Sequence, residues 1–432
     1  MIKKISSAIA TLSLLFYSFA IPAFAQTVTL EVSGNGAGSE NEVEVETTTE
    51  TTVVQENNAN IVNNIEAEAK TGDNEAEDNT GGDVSIETGD ATTEVTVSNQ
   101  ANTNTADVSC SNCTGDISAT VSGNGSNSEN EIEVENEQNT EVYQNNTAYI
   151  TNNIEAEAKT GDNEAEDNTG GDVSITTGNA DTSVTVSNLA NANVASVGGG
   201  GTQGALSAWI TGNGSDSENE IELDLDRSVL LVQENRADIR NYIEAEAETG
   251  DNEAEDNTGG DVSIDTGDAT TTVDVNNEAN FNWADVECCL FDILAKISGN
   301  GSDSENEIEA EIENTLELFQ ENCGKDHVES LFNSNNRHNC GIENDIEAEA
   351  ETGDNDPDGN TGPAVLDPVE VTTGNAESTV EVNNSTGANI FSQGNATLQD
   401  GLNSLFEGLN LDFNFSFNLE ALLALLQSQL AG

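Results

Sequence analysis

The sequence predicts an all-β fold, a repetitive β-solenoid-like array of four repeats of about 89 residues each. Two observations lead to this prediction. A few short motifs recur at nearly constant spacing, and the segments between them alternate apolar with polar residues. Aromatic residues make up only 4% of the chain, so the core is also expected to be thin.

Two glycine motifs set the repeat length. The first glycine of Ser/Thr-Gly-Asn-Gly recurs at intervals of 89, 89 and 87 residues, at Gly34, Gly123, Gly212 and Gly299. The motif Thr-Gly-Asp-Asn recurs at intervals of 89, 89 and 103 residues, beginning at Thr71, Thr160, Thr249 and Thr352. The last interval is longer because repeat 4 carries an insertion bracketed by two cysteines.

The segments between the motifs read as strands. The run from Asn153 to Ala158 alternates Ile and Ala with Asn and Glu, and side chains of a strand alternate between its two faces. Ile, Val and Ala are therefore expected inside, and Glu, Asp and Thr outside. Within a repeat the motifs are separated by near multiples of 17 to 19 residues, so one repeat could hold five turns of about 18 residues.

Tandem β-sandwich domains are the alternative fold, because about 90 residues is also the size of an immunoglobulin-like sandwich. A sandwich core normally needs larger inward side chains than Ala and Val, and aromatic residues are nearly absent from these strands. The solenoid is therefore the preferred interpretation.

Residues 1–25 have the pattern of a secretory signal peptide, with Lys3 and Lys4, an apolar run and the cleavage pattern Ala-Phe-Ala before Gln26. We therefore expect a secreted chain that is extracellular or on the cell surface. The remaining residues divide into repeat 1 (26–110), repeat 2 (111–198), repeat 3 (199–287), repeat 4 (288–397, with an insertion at 323–340) and a C-terminal apolar segment (398–432).

The charge balance limits the possible functions. The chain has 82 acidic and 10 basic residues, a formal charge of −72, which becomes −74 once Lys3 and Lys4 are removed. Such a surface repels nucleic acids and anionic lipids, and the apolar runs of the mature chain are too short to span a membrane. No nucleophile, metalloprotease or phosphate-loop motif is present, so we do not expect an enzyme.

The chemistry indicated by the acids is calcium (Ca2+) binding. In repeat 4, Asp354, Asp356 and Asp358 alternate before Gly359, as in the first half of a calcium loop, and Asn360 follows. The predicted metal ligands at the equivalent positions of repeats 1 to 3 are Asp73, Glu75, Glu77 and Asp83; Asp162, Glu164, Glu166 and Asp172; and Asp251, Glu253, Glu255 and Asp261. The alternative is a solvated acidic loop held by Asx-turns.

Electrostatics supports a role for cations. If coils stack about 4.8 Å apart, outward acids such as Glu155 and Glu157 face like charges on neighbouring coils, and each such pair costs about 0.9 kcal/mol even in water. We therefore expect the chain to be folded with calcium and expanded or labile without it.

Cysteines and the C-terminal segment add two expectations. In an exported chain a disulfide between Cys323 and Cys340 is favoured over a zinc site completed by His327 and His338. Residues 398–432 contain an apolar-faced strand, which either caps the solenoid or is donated to the next subunit of a head-to-tail homopolymer.

The signal peptide, the acidic tandem repeats and the Asp-x-Asp-x-Asp-Gly stretch from Asp354 together resemble secreted bacterial acidic tandem-repeat proteins that form calcium-stabilised β-rich filaments or surface layers. The resemblance is one of pattern over the four repeats. It implies calcium at Asp354, Asp356 and Asp358 and a structural, self-associating role. A calcium-dependent adhesin and a disordered acidic cation-binding protein are the alternatives.

Overall fold

The computed structural model describes residues 27–108, 116–198, 205–286, 292–323, 340–362 and 369–392, and the backbone of two short strands near the N-terminus. Those two strands are β1 (Lys4–Ile5) and β2 (Leu15–Phe19). All regular structure in these residues is β-strand, which confirms the predicted all-β class. Within them, no helix is long and apolar enough to cross a membrane.

Each repeat forms one coil of five strands. Coil 1 contains β3 (Val28–Ser33), β4 (Glu40–Lys70), β5 (Glu75–Glu77), β6 (Val84–Glu87) and β7 (Ala91–Val108). Coil 2 contains β8 (Ile117–Ser122), β9 (Glu129–Lys159), β10 (Asn163–Glu166), β11 (Val173–Thr176) and β12 (Ala180–Val197). Coil 3 contains β13 (Ala205–Thr211), β14 (Glu218–Glu248), β15 (Asn252–Glu255), β16 (Val262–Asp265) and β17 (Ala269–Val286).

Coil 4 follows the same path with two changes. Its strands are β18 (Asp292–Ser298), β19 (Glu305–Asn322), β20 (Gly341–Glu351), β21 (Val369–Thr372) and β22 (Ala376–Ser392). The long strand is split into β19 and β20, and the counterpart of β15 is reduced to a single bridge between Glu253 and Asp356.

The coils stack in parallel and in register, so that each residue lies over its own counterpart. Glu155 of β9 pairs with Glu66 of coil 1 and with Glu244 of coil 3. A complete repeat is therefore one turn, and the expectation of five short turns per repeat is wrong. The chain folds back on itself inside each turn, and that fold-back produces the shorter spacings of the sequence motifs. Pairing between repeats also excludes separate sandwich domains.

Each coil is a flat, two-layered loop. The long strand has 31 residues in coils 1 to 3 and spans about 100 Å at the rise of a strand. Its first part packs against β3 and its counterparts, and its remainder packs against β7 and its counterparts. Small side chains fill the gap as predicted: in β9, Ile154 is 3% exposed, Ala156 1% and Ala158 0%.

Asparagine columns run through this core. Nδ2 of Asn57 donates to Oδ1 of Asn146 at 3.0 Å, and Nδ2 of Asn146 donates to Oδ1 of Asn235 at 3.1 Å. Nδ2 of Asn146 also donates to Oδ1 of Asn193 in the opposing layer at 2.8 Å. Four columns of this kind, buried in coils 2 and 3, pair across the layers: Asn57–Asn146–Asn235–Asn322 with Asn104–Asn193–Asn282–Asn389, and Asn63–Asn152–Asn241–Asn344 with Asn99–Asn188–Asn277–Asn384.

Cys323 and Cys340 form a disulfide, which confirms the predicted pairing. They occupy the positions below Arg236 and Ala237, between the end of β19 and the start of β20. Their Cα atoms are 5.6 Å apart, so the ends of the split strand stay close together and in register. Both histidines of the zinc alternative lie outside the described residues, as does the C-terminal segment 398–432.

We predict that Asn152→Asp destabilises the protein by about 3–5 kcal/mol, because it places an unpaired charge in the core. Asn152 is fully buried, accepts from Asn63 and Asn99, and donates to Asn188 and Asn241. The new carboxylate can still accept the hydrogen bonds from Asn63 and Asn99, but it cannot donate to Asn188 and Asn241. Urea unfolding followed by circular dichroism measures the change.

The matched control is Asn153→Asp, one residue along and on the outer face, where the amide makes a solvent-exposed bond to Asn64. It should cost less than about 1 kcal/mol. Equal losses in the two variants would contradict a structural role for the inward amide columns.

Candidate functional site

The outer face of the long sheet carries columns of carboxylates. The column through Glu155 continues to Glu347 in coil 4, and the column through Glu157 joins Glu68, Glu246 and Glu349. The predicted like-charge contacts between coils are therefore confirmed. Burial first, and then the neighbouring glutamates, raise the pKa of Glu131, Glu133, Glu220 and Glu246.

One column at the end of the long strand contains both signs of charge. It runs Lys70–Lys159–Glu248–Glu351, from coil 1 to coil 4. The predicted ligands Asp73, Asp162, Asp251 and Asp354 lie three residues later, in the turn that follows. All four have positive φ, between 51° and 61°, which Asp tolerates better than most residues.

Lys159 is at the centre of this cluster. Its Nζ lies 2.8 Å from Oε2 of Glu248, 3.0 Å from Oδ1 of Asp162 and 3.2 Å from Oδ2 of Asp251. Burial favours the neutral amine, but the hydrogen bonds to Glu248 and Asp162 outweigh it and raise the pKa of Lys159. The lysine thus satisfies three carboxylates whose oxygens are close enough to share a metal ion.

The same turn behaves differently from coil to coil. Burial acts to raise the pKa of Asp162, but hydrogen bonds from Lys70 and Lys159 outweigh it and lower that pKa. Burial raises the pKa of Glu248 to about 7, and the proximity of Asp251 adds to this while Lys159 opposes it. Between coils 3 and 4 the column places Glu248 over Glu351, so acid faces acid at this step.

The predicted ligands Glu75, Glu77 and their counterparts lie on the short strands β5, β10 and β15 instead of wrapping one loop. Glu77 comes together with Glu164 and Glu166 of the next coil, with one oxygen of each within 4.8 Å of the others. Glu253 is the hydrogen-bond partner that, ahead of burial, raises the pKa of Glu255 to about 7. The oxygens of Glu77, Glu164 and Glu166 therefore converge across two coils, not within one loop.

Asp83, Asp172 and Asp261 lie in the next turn, after the short strands β5, β10 and β15, and are exposed. Oδ1 of Asp83 accepts the backbone N–H of Asp172 at 3.2 Å, and Oδ1 of Asp172 accepts that of Asp261 at 3.0 Å. These two carboxylates therefore hold the stacked turns together through hydrogen bonds.

In coil 4, Asp354, Asp356 and Asp358 are all exposed. Asn360 has a different environment from these acids. Its Oδ1 accepts from Nδ2 of Asn257 at 3.0 Å, and its Nδ2 donates to the carbonyl oxygens of Ala254 and Pro357. Asn360 is thus the last member of an amide column that also contains Asn79, Asn168 and Asn257.

Sequence reasoning missed the lysine column and the amide columns. Both leave a signal in the sequence: Lys70 and Lys159 are 89 residues apart, as are Asn57, Asn146 and Asn235. Asparagine at an inward position of an alternating strand, repeated at the coil length, indicates an amide column, because such a column satisfies buried amides with copies of themselves.

Comparison with protein-family models, curated proteins and solved structures finds no match to this chain. The functional argument therefore depends on the geometry of the coils alone.

We predict that Lys159→Met lowers the free energy of unfolding by about 3 kcal/mol in chelator, because the buried Glu248, the half-buried Asp162 and the exposed Asp251 lose their counter-charge. Lys70→Met is the control. The Lys70 side chain is 30% exposed and bridges only Asp73 and Asp162, so its loss should cost about 1 kcal/mol or less. Urea unfolding of both variants tests this prediction. Equal losses of unfolding free energy would show that the Lys159 cluster stabilises the fold no more than the Lys70 ion pairs do.

Proposed function

We propose that this protein is an extracellular structural subunit that self-associates end to end, with divalent cations, calcium among them, stabilising its acidic face. The observation that carries the proposal is the open stack. Among the described residues, coil 1 and coil 4 each have a neighbouring coil on one side only. The outer edges of the long strands β4, β19 and β20 have no strand partner there, and the outer edge of β7 pairs only with β1 and β2, which lie in the expected signal peptide. Exposed strand edges are templates for pairing with another chain.

The end face of coil 4 supports this proposal. Inward-facing positions that are buried in coils 2 and 3 are exposed there: Ile132 and Ile221 are fully buried, whereas Ile308 below them is 48% exposed. Val380 is likewise 47% exposed below the fully buried Val273. A core that ends in open apolar positions gains free energy by being covered.

The carboxylate columns support the cation part of the proposal. Glu77, Glu164 and Glu166 offer three oxygens within 4.8 Å of one another, and calcium binds oxygen ligands at 2.3–2.6 Å. An ion between them would link coil 1 to coil 2 and offset their repulsion. Glu248, Asp251 and Glu351 would use a cation in the same way between coils 3 and 4, where this column places acid over acid.

Calcium titration of the exported protein tests both parts. From a chelated start, we expect calcium to raise the melting temperature of the β signal in circular dichroism and to convert monomer into sedimentable polymer. Magnesium is the control, because it holds its waters more tightly and prefers octahedral sites.

Three other outcomes would each remove part of the proposal. A stable monomer that binds cells or glycans would favour the adhesin. A spectrum without β signal, even in calcium, would favour the disordered acidic protein. Unchanged melting in calcium and chelator would keep the fold and remove calcium from its explanation.

We also predict that the protein is more stable at pH 5 than at pH 8 when cations are chelated. The pKa is raised to about 7 in Glu248 and Glu278 by burial, and in Glu255 chiefly by Glu253. Raised carboxyl pKa values mean that the folded state binds protons more tightly than the unfolded state. The contribution of these groups to stability is therefore fully present below the usual carboxyl pKa of 4.5, and it is lost as the pH rises through about 7.

Urea unfolding across this pH range measures the effect, and Glu278→Gln provides the matched variant. It removes one titrating group, so the difference in stability between pH 5 and pH 8 should shrink. Stability that rises from pH 5 to pH 8 would contradict the assignment of raised pKa values.

A further inference from the structure

The two end faces of the stack are complementary to each other. We propose that the open face of coil 4 docks directly on the face of coil 1 that removal of residues 1–25 leaves open in a second copy, in parallel and in register, so that the stack continues from chain to chain. This inference rests on the proposed self-association and names the surfaces and the partner.

Three glycine columns carry the argument. In the column Gly72–Gly161–Gly250–Gly353, a Cβ on Gly72, Gly161 or Gly250 would overlap the carbonyl oxygen of the next glycine in the column. In the column Gly89–Gly178–Gly267–Gly374, a Cβ on any of the last three would overlap the backbone of the preceding coil. Glycine is thus required at each internal step because the backbones approach closely.

At the two ends, nothing in the described part of a single chain requires glycine. A Cβ on Gly89 would meet no atom within 4 Å, and a Cβ on Gly353 would meet only a side-chain oxygen of Glu351 at 3.7 Å. Neither residue has a positive φ. Gly36 repeats this pattern: its counterpart Gly125 faces the backbone of coil 1, whereas Gly36 itself is open. These glycines have a steric purpose only if another coil lies beyond each end.

An unpartnered acceptor on coil 1 points to the same partner. Oδ1 of Asn57 is buried and has no hydrogen-bond partner among the described residues. At every internal step of the column the equivalent oxygen accepts a hydrogen bond. Oδ1 of Asn146 accepts from Nδ2 of Asn57, and Oδ1 of Asn235 accepts from Nδ2 of Asn146. The residue that would donate to Asn57 in a continued stack is Asn322, the coil 4 member of the same column.

Other positions of the two faces also match. Stacking coil 4 on coil 1 would place Gln320 over Gln55, Asn344 over Asn63 and Ile346 over Ile65, which repeats the internal pairings. The column of mixed charge would place Glu351 next to Lys70, an attraction like that between Lys159 and Glu248 at 2.8 Å. The edge of β7 accepts parallel strands, since β1 and β2 pair with it. Both strands lie in residues 1–25, the expected signal peptide, so its removal would free this edge for coil 4 of the second copy.

Alanine at the end glycines tests the contact. The full coding sequence is expressed, and the exported protein is purified as wild type, Gly89→Ala, Gly353→Ala and Gly341→Ala. Gly341→Ala is the matched control in coil 4. Its counterparts in the column are Asn60, Tyr149 and Asp238, so the stack accommodates side chains there.

We expect Gly89→Ala and Gly353→Ala to keep the wild-type circular dichroism spectrum and melting temperature. Each should raise the critical concentration for polymer formation by about tenfold or more, because the added methyl group overpacks the junction. Gly341→Ala should polymerise as the wild type does. Sedimentation and electron microscopy in calcium measure assembly.

The other outcomes separate failure of this inference from failure of the proposed function. Wild-type protein that stays monomeric in calcium would refute both. Polymerisation of wild type, Gly89→Ala and Gly353→Ala alike would keep self-association and overturn the direct contact. A block by Gly89→Ala alone would overturn it too, and would indicate that residues 398–432, not coil 4, occupy the coil 1 edge. A lower melting temperature in monomeric Gly353→Ala would indicate that the chain caps its own coil 4.

Discussion

The constraint on which the structure depends is that every residue stacks on its own counterpart. Parallel, in-register pairing at about 4.8 Å gives each side chain a copy of itself as its nearest neighbour along the stack. Residue types that attract themselves are therefore favoured. Amides do so because each carries a donor and an acceptor, and Val, Ile and Ala do so by excluding water. Glycine is needed where backbones come closest, as at Gly161 and Gly178.

Carboxylates are the residues that fail this requirement, and the chain has 82 acids. The free-energy cost of carboxylate repulsion on the outer face therefore grows with each added coil, and the stabilisation from the core must exceed this cost. The structure offers three ways of lowering that cost. Lys70 and Lys159 neutralise one column, Asp83 and Asp172 accept backbone N–H groups of the next coil, and Glu248 and Glu255 hold protons more tightly. Bound cations would act as a fourth.

The repeat length, the strand alternation, the Cys323–Cys340 disulfide and the stacking of acids could all be predicted from the sequence. These features depend on local pattern and on spacing, which the sequence carries directly. The size of one turn could not be predicted, because a spacing of 17 to 19 residues arises equally from five short turns and from one turn that folds back on itself. Only pairing of Glu155 with Glu66 and Glu244, one repeat away, separates them.

The predicted metal ligands show the same limit. Acids at alternate positions suggest one loop per repeat, yet Glu77 approaches Glu164 and Glu166 of the next coil. Whether oxygens converge within a loop or between loops depends on how coils stack, which no single repeat encodes. The bridge from Lys159 to Asp162 and Asp251 has the same origin, because Lys159 precedes the acidic segment and reaches Asp251 of the next coil only through stacking.

The disulfide explains how coil 4 carries an insertion and still presents a complete face. An insertion in the middle of a strand normally shifts the register of everything beyond it, and one step of slip moves inward residues outward. Here Cys323 and Cys340 replace two consecutive positions of the strand, and Nδ2 of Asn280 donates to Sγ of Cys323 at 3.1 Å. Asn322 and Ile342 on either side therefore keep the columns of Asn235 and Ile239. The pattern that the stack repeats is thus preserved on both sides of the insertion.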